Sequence, residues 1–182
     1  MNKKTKKIKI DLGCRNEKID ENWIGVDIDR TCNPEIVHDL TKTPWPFPDN
    51  YADEIRSSHV VEHLPDLNSF LDEVTRVAKN DSSFELIFPH YSRSMHSSQH
   101  IRHYGIRILN DFPQFRIESI RLKYISWRWK IGLRHLYKFP FYLFVSIIEF
   151  FANLSPRFFE RFWCFWFGGF DHVIIKSKII KK

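Results

Sequence analysis

The segment that most constrains this chain is its opening, Lys7 to Asp29, KIKIDLGCRNEKIDENWIGVDID. Ile8 and Ile10 alternate with lysines. The run then turns apolar and stops at Asp11-Leu12-Gly13-Cys14, the pattern of a buried parallel strand meeting a close-approach loop. Gly13 has no Cβ, so a ligand can lie against the main chain there. A second strand, Trp23 to Ile28, delivers Asp27 at its carboxyl end, the edge where open α/β sheets bind ligands. A carboxylate in that place accepts hydrogen bonds from both hydroxyls of a ribose, so the pair points to a nucleoside-type cofactor. It does not fit a dinucleotide fingerprint: Gly13 is the only glycine in the turn, and Asp27 follows it too closely.

The links around these strands are short. Arg15 to Asn22 and Arg30 to Pro34 hold fewer residues than a helical crossover needs, so coil or a single helical turn must join the strands. Glu35 to Leu40 reads as a third short strand ending at Asp39. Pro44, Pro46 and Pro48 then stiffen a loop before a fourth strand, Glu54 to His59. Asp66 is a natural N-cap for a helix that presents Leu67, Phe70, Leu71, Val74, Val77 and Ala78 on one face and stops at Asn80. A strand from Phe84 to Phe88 follows, then a polar, histidine-rich stretch from Met95 to Tyr104 and a short helix from Gly105 to Phe112. Phe115 to Ile125 alternates as a strand whose phase slips once near Ser119, the mark of a bulge. Val173 to Ile180 is the last strand.

These segments resemble the class I S-adenosylmethionine (SAM)-dependent methyltransferases. The family's D-L-G-C-G and G-V-D-I stand here as Asp11-Leu12-Gly13-Cys14-Arg15 and Gly25-Val26-Asp27-Ile28. Its L-P-F-P-D-x-S-F-D-x-I and E-H-L stand as Trp45-Pro46-Phe47-Pro48-Asp49, Ala52-Asp53-Glu54-Ile55 and Glu62-His63-Leu64. The family's R-V-L-K-P-G-G appears as Arg76 to Ser82. The resemblance spans Ile8 to Phe112, together with the final strand. It implies an α/β, Rossmann-like, mostly parallel sheet whose last strand is antiparallel, with SAM as cofactor. The cofactor-binding set is then Asp11, Gly13, Cys14, Arg15, Asp27, Ile28, Asp39, Leu40, Ser58 and His59. In it Asp11 orients the loop near the sulfonium, Asp39 holds the adenine edge and His59 lines the pocket, while His63 packs and caps. Arg15 stands where the family has glycine. It either pairs with the carboxylate of the methionine moiety or marks a site that has lost its ligand.

His90, at the end of the fifth strand, is the first candidate for a general base, and His100, followed by Arg102, is the second. The cluster His90, His96, His100 and His103 has no zinc-like spacing and no cysteine nearby, so no metal is expected. Cys14, Cys32 and Cys164 are odd in number and lack C-x-x-C spacing, which suits free thiols in a reducing compartment. The basic start MNKKTKK runs into the first strand without a signal-peptide core, so a cytoplasmic protein is expected.

The 182 residues are enough for one domain, 1–182, and 43% hydrophobic content with 17 phenylalanines argues against disorder. Between the last two strands, where the resembling fold has a short hairpin, lies an apolar and basic helical insertion, 126–171. It opens with Trp127, Arg128, Trp129, Lys130, Arg134 and Lys138 and runs through Phe139 to Leu154, where Glu149 is the only charge. It closes with Arg157, Arg161, Trp163 and Trp166. The apolar run is short for a membrane span, and its Trp and Arg/Lys flanks suit a helix in the headgroup region on the inner face of a membrane. Packing on the core or on a second subunit is the alternative. The net charge of +6 favours an anionic neighbour. No dense basic stripe with interleaved aromatics marks a nucleic-acid surface, except around Trp127 to Lys130. The resemblance implies methyl transfer, and with the interfacial stretch it points to a small or lipid-linked acceptor, an oxygen of a cell-envelope glycan. A non-catalytic module of the same fold and a membrane-associated scaffold are the rivals.

Overall fold

The computed structural model describes residues 7–16, 19–94, 98–124, 139–164 and 169–181. The basic amino terminus, His96, Trp127 to Lys138 and Trp166 lie outside the described residues. Seven strands form one sheet: β1 (Lys9–Leu12), β2 (Trp23–Asp27), β3 (Ile36–Val37), β4 (Ala52–Ser58), β5 (Ala78–Pro89), β6 (Phe115–Lys123) and β7 (His172–Ile179). Their spatial order is β3-β2-β1-β4-β5-β7-β6. The first five pair in parallel, and β7 is antiparallel to both β5 and β6. The sheet is therefore mostly parallel with an antiparallel edge. The short links stay short: a 3-10 turn, Arg30–Cys32, is all that forms between β2 and β3.

Helix α1 (Leu67–Val77) begins where Asp66 accepts hydrogen bonds from the Asn68 and Ser69 N–H groups, and it buries Phe70, Leu71, Val74 and Val77. The proline-rich loop is anchored on it. Trp45 N–H donates to Glu73 (2.6 Å), and Arg76 donates to the carbonyls of Phe47 and Trp45, to Asp49 and to Glu73. That network holds Trp45 and Phe47 in the core, with Trp45 edge-on to Phe70 at 5.3 Å.

The structure departs from the sequence expectations in several places. β3 is two residues long, ending at Val37 rather than Asp39. α1 stops at Val77 rather than Asn80 because Ala78 already pairs with Ala52. The next pairing on these strands is Glu54 with Ser83, so Lys79 to Ser82 bulge out opposite Asp53, with Asp81 at φ +60. Gly105 to Phe112 forms hydrogen-bonded turns instead of a helix. The phase slip in β6 does appear as a register shift, between Ile117 and Ser119.

The described residues also form α2 (Tyr91–Ser94) and α3 (Phe139–Leu154), and α3 is followed by a short run, Pro156–Phe158, that continues as a π-helical turn, Phe159–Trp163. α3 covers the edge strand β6. Val145, Ile148 and Ala152 turn inward and are buried, while Asn153 and Glu149 hydrogen-bond the edge-facing backbone of Leu122 and Tyr124. No helix among the described residues is long and apolar enough to cross a membrane.

Candidate functional site

Because β1, β2 and β4 run parallel, Leu12, Asp27 and Ser58 reach the same end of the sheet. The loops that follow enclose a cleft of about 520 Å³ whose wall includes Gly13, Asp27, Ile28, Asp39 and Leu40. A second cavity of about 250 Å³ lies across Gly13-Cys14-Arg15, against Arg56 and Ser58. Arg15 and His59 border both.

Gly13 takes φ +72, and a Cβ placed there would come within 2.2 Å of Val60 Cγ2. Its N–H and that of Cys14 both donate to the Val26 carbonyl, at 2.8 and 3.2 Å, which fastens the loop to β2. The next residue, Arg15, is also left-handed, at φ +46. That backbone conformation is the physical reason a glycine suits this position. Its N–H donates to Asp27 Oδ2 at 2.9 Å, and the Asp29 N–H donates to Oδ1 at 2.9 Å. A carboxylate has about four acceptor positions, so Asp27, 8% exposed on the cleft wall, keeps capacity on both oxygens. Asp39 Oδ1 accepts from the Thr41 hydroxyl (2.7 Å) and N–H (3.0 Å), and these bonds hold its carboxyl below the ordinary aspartate value.

The nine residues Gly13, Cys14, Arg15, Asp27, Ile28, Asp39, Leu40, Ser58 and His59 all border one or both cavities. Asp11 does not. It is fully buried and held by Arg56 Nη1 at 3.1 and 3.3 Å. Burial pushes its carboxyl up, and Arg56 opposes that rise. Arg56 also faces Glu85 at 3.6 Å, and Glu85 pairs in turn with Lys176 at 3.0 Å. Cys14 is buried too, and desolvation pushes its thiol up to about 11, which keeps it neutral.

The two histidines expected as bases lie away from the cleft wall. His90 is completely buried; its Nδ1 meets Ser92 Oγ at 2.6 Å and its Nε2 meets Glu160 at 3.2 Å. Burial pushes Glu160 up, but the bonds from His90 and the Ile106 N–H outweigh it and leave the carboxyl below its ordinary value. His100 bonds the Ser94 carbonyl through Nδ1 (2.9 Å), and its ring stands edge-on to His63 at 5.1 Å. The imidazole that does face both cavities is His59, held at φ +57, with Nδ1 3.0 Å from the buried Glu62 and its ring against His172.

Arg56 was not legible as a site residue in sequence. It becomes the direct cross-strand partner of Asp11 only through the β1–β4 register. Val60, which limits the space over Gly13, gave no signal of its own.

Residues 13–86 match a family model described as a methyltransferase domain. No curated protein is significantly similar in sequence. Among solved structures, a SAM-dependent methyltransferase from Archaeoglobus fulgidus superposes with TM-score 0.62 at 20% identity, covering 94% of this chain and 86% of that one. A phosphoethanolamine N-methyltransferase from Haemonchus contortus, solved in complex with SAM, superposes with TM-score 0.59 at 12% identity over 96% of this chain and 49% of that one. The [4+2]-cyclase SpnF shares the fold as well, with TM-score 0.58 and 12% identity over 97% of this chain and 75% of that one.

Proposed function

We propose that this chain, whose residues 13–86 match a methyltransferase domain, is a class I SAM-dependent methyltransferase, that the paired cavities hold SAM and that the acceptor is an oxygen of a small or lipid-linked, cell-envelope glycan. The observation that carries the cofactor reading is Asp27, a nearly buried carboxylate whose two oxygens each hold one backbone N–H and keep room for a ribose hydroxyl. Gly13, whose missing Cβ makes room for Val60, carries the loop main chain along both cavities, where the adenosine would rest. Asp39 and Leu40 stand at the far wall for the adenine edge, and the smaller cavity beside Arg15 and Arg56 suits the methionine carboxylate. Asp11, buried beside that loop and held by Arg56, puts an acid near the place of the sulfonium.

SAM supplies an activated methyl group. What the chain contributes is alignment: the pinned Gly13-Cys14-Arg15 loop and Asp27 fix the adenosine, so an acceptor oxygen entering past His59 meets the methyl in line. The glycan reading draws its support from α3, whose outward side carries Phe144, Ile147, Phe150 and Leu154 in the open. That face would bring the cleft to a membrane surface holding a lipid-linked substrate.

Isothermal titration with S-adenosylhomocysteine tests the cofactor reading. The chain is expected to bind, and Asp27→Ala to lose two charge-assisted bonds worth about 1.5–3 kcal/mol each, an affinity drop of roughly 100-fold or more. Circular dichroism must show the variant folded, because Asp27 also anchors two loop N–H groups. No binding by the unaltered chain would leave a non-catalytic module of this fold as the reading.

A further inference from the structure

We propose that Glu62, His63 and His100 form a binding site for one divalent transition-metal ion at the wall of the cofactor cleft. One ligating atom from each of the three lies within 4.8 Å of those of the other two. Glu62 and His63 belong to the 3-10 turn Val61–His63 that follows β4. His100 arrives from a distant loop that is itself tied down: the Ile101 and Arg102 N–H groups donate to the Glu62 carbonyl at 2.9 and 3.3 Å, and the Arg102 guanidinium donates to the Pro65 carbonyl at 2.8 Å. The three groups are therefore held together by main chain before any ion arrives.

Two independent features prepare them as ligands. First, His63 Nδ1 contacts the Gln99 carbonyl at 3.0 Å and His100 Nδ1 contacts the Ser94 carbonyl at 2.9 Å. A carbonyl can only accept, so each Nδ1 carries the proton, and in the neutral ring Nε2 presents a lone pair. Histidines that bind metals generally hold their second N–H on a carbonyl or carboxylate in this way. Second, Glu62 is 1% exposed; Oε1 meets His59 Nδ1, while Oε2 is shut off from solvent and has no hydrogen-bond partner. A buried carboxylate oxygen with neither donor nor cation is a rarity that a bound cation resolves.

Two imidazole nitrogens and one carboxylate oxygen suit Zn²⁺ or a neighbouring first-row ion, and not Ca²⁺ or Mg²⁺, which prefer oxygen shells. At bond lengths of about 2.1 Å, ligand atoms on a tetrahedral ion are about 3.4 Å apart, so a closure of up to about 1.4 Å, within reach of side-chain rotation, completes the site. Three protein ligands leave a coordination position open. His63 also lines the cleft, so that position borders the space where an acceptor would lie. Sequence spacing hides the set because His100 is far from the adjacent pair.

The test uses the full chain without a histidine tag, stripped with a chelator, then titrated with Co²⁺ under visible absorption and back-titrated with Zn²⁺. One saturable equivalent per chain with d–d bands is expected. Glu62→Gln, His63→Gln and His100→Gln should each weaken it about 100-fold or more, with circular dichroism unchanged. His103→Gln should bind as the unaltered chain does, since His103 bonds only the Ser94 hydroxyl among these groups. No binding by the unaltered chain overturns the assignment, as does full binding by a folded His100→Gln chain. Titrating the stripped chain with S-adenosylhomocysteine keeps the result separate from the cofactor reading, which stands or falls on Asp27.

Discussion

Arg15 carries two opposing demands on one residue. Its φ of +46 is a conformation that costs a residue with a side chain about 1–2 kcal/mol. Replacing it with glycine removes that cost and adds about 0.4–1 kcal/mol of chain entropy to the unfolded state. The net expectation for Arg15→Gly is a gain of about 0.5–1 kcal/mol in a urea titration. If the guanidinium reaches the methionine carboxylate, the same variant loses about 1.5–3 kcal/mol of binding, so affinity for S-adenosylhomocysteine falls about 10-fold or more. A stability gain with unchanged affinity would assign Arg15 no part in holding the cofactor. At this scale the sequence was readable wherever chemistry is local: Gly13 and Asp27 belong to one turn and its adjacent strand. It was opaque where a partner is far along the chain. Asp11 reads as an acid beside the site, yet it is committed to Arg56, 45 residues later, by a cross-strand register that no local pattern reveals.

Elements show the same division. The amphipathic stripe of α1 and the slip in β6 were legible because each is a periodicity, and periodicity is a property of neighbours. The early start of β5 was hidden, because only its pairing with Ala52 distinguishes a strand with a bulge from the tail of a helix. The role of α3 was hidden as well: Asn153 and Glu149 look like stray polar residues in an apolar run until β6 lies beside them. Asn153 both accepts from the Leu122 N–H and donates to its carbonyl, doing the work of an absent neighbouring strand. Asn153→Ala should therefore cost two hydrogen bonds, about 2 kcal/mol, in a urea titration, and should raise aggregation on light scattering because a β edge is opened. Glu73 provides an acid-sensitive counterpart. The Arg76 hydrogen bond, aided by the Trp45 N–H, holds its carboxyl below the ordinary value of 4.5. Its folded value being the lower one, its stabilisation is whole above the unfolded value and drains as pH falls through the folded one. The difference in unfolding free energy between the unaltered chain and Glu73→Gln should accordingly shrink from about pH 5 to about pH 3. A constant difference across that window would mean that the ion pair contributes nothing.

For the molecule as a whole, the unresolved demand is the apolar surface it keeps in water. Among the described α3 side chains, Val145, Ile148 and Ala152 are turned fully inward, while Leu143, Phe144, Ile147, Phe150, Phe151 and Leu154 remain exposed, and Phe158 and Phe162 stack on each other further along the chain. The exposed α3 positions recur at helical spacing, so they form one face, the arrangement of a helix lying in a bilayer interface. Trp127 to Lys138, which precede it in sequence, supply aromatic and basic residues suited to the headgroup layer. If Phe144, Ile147, Phe150 and Leu154 each gain about 1 kcal/mol on insertion, replacing all four with serine should weaken binding to vesicles about 1,000-fold. Flotation with phosphatidylglycerol vesicles reads this directly. The unaltered chain should float and do so less well in phosphatidylcholine, because a net charge of +6 favours an anionic surface. The four-serine variant should stay at the bottom of the gradient while still binding S-adenosylhomocysteine, since none of the four residues borders the cofactor cavities. A chain that ignores both vesicle types but sediments as a dimer, and becomes a monomer on the same four substitutions, would give this face to a second copy instead of a membrane.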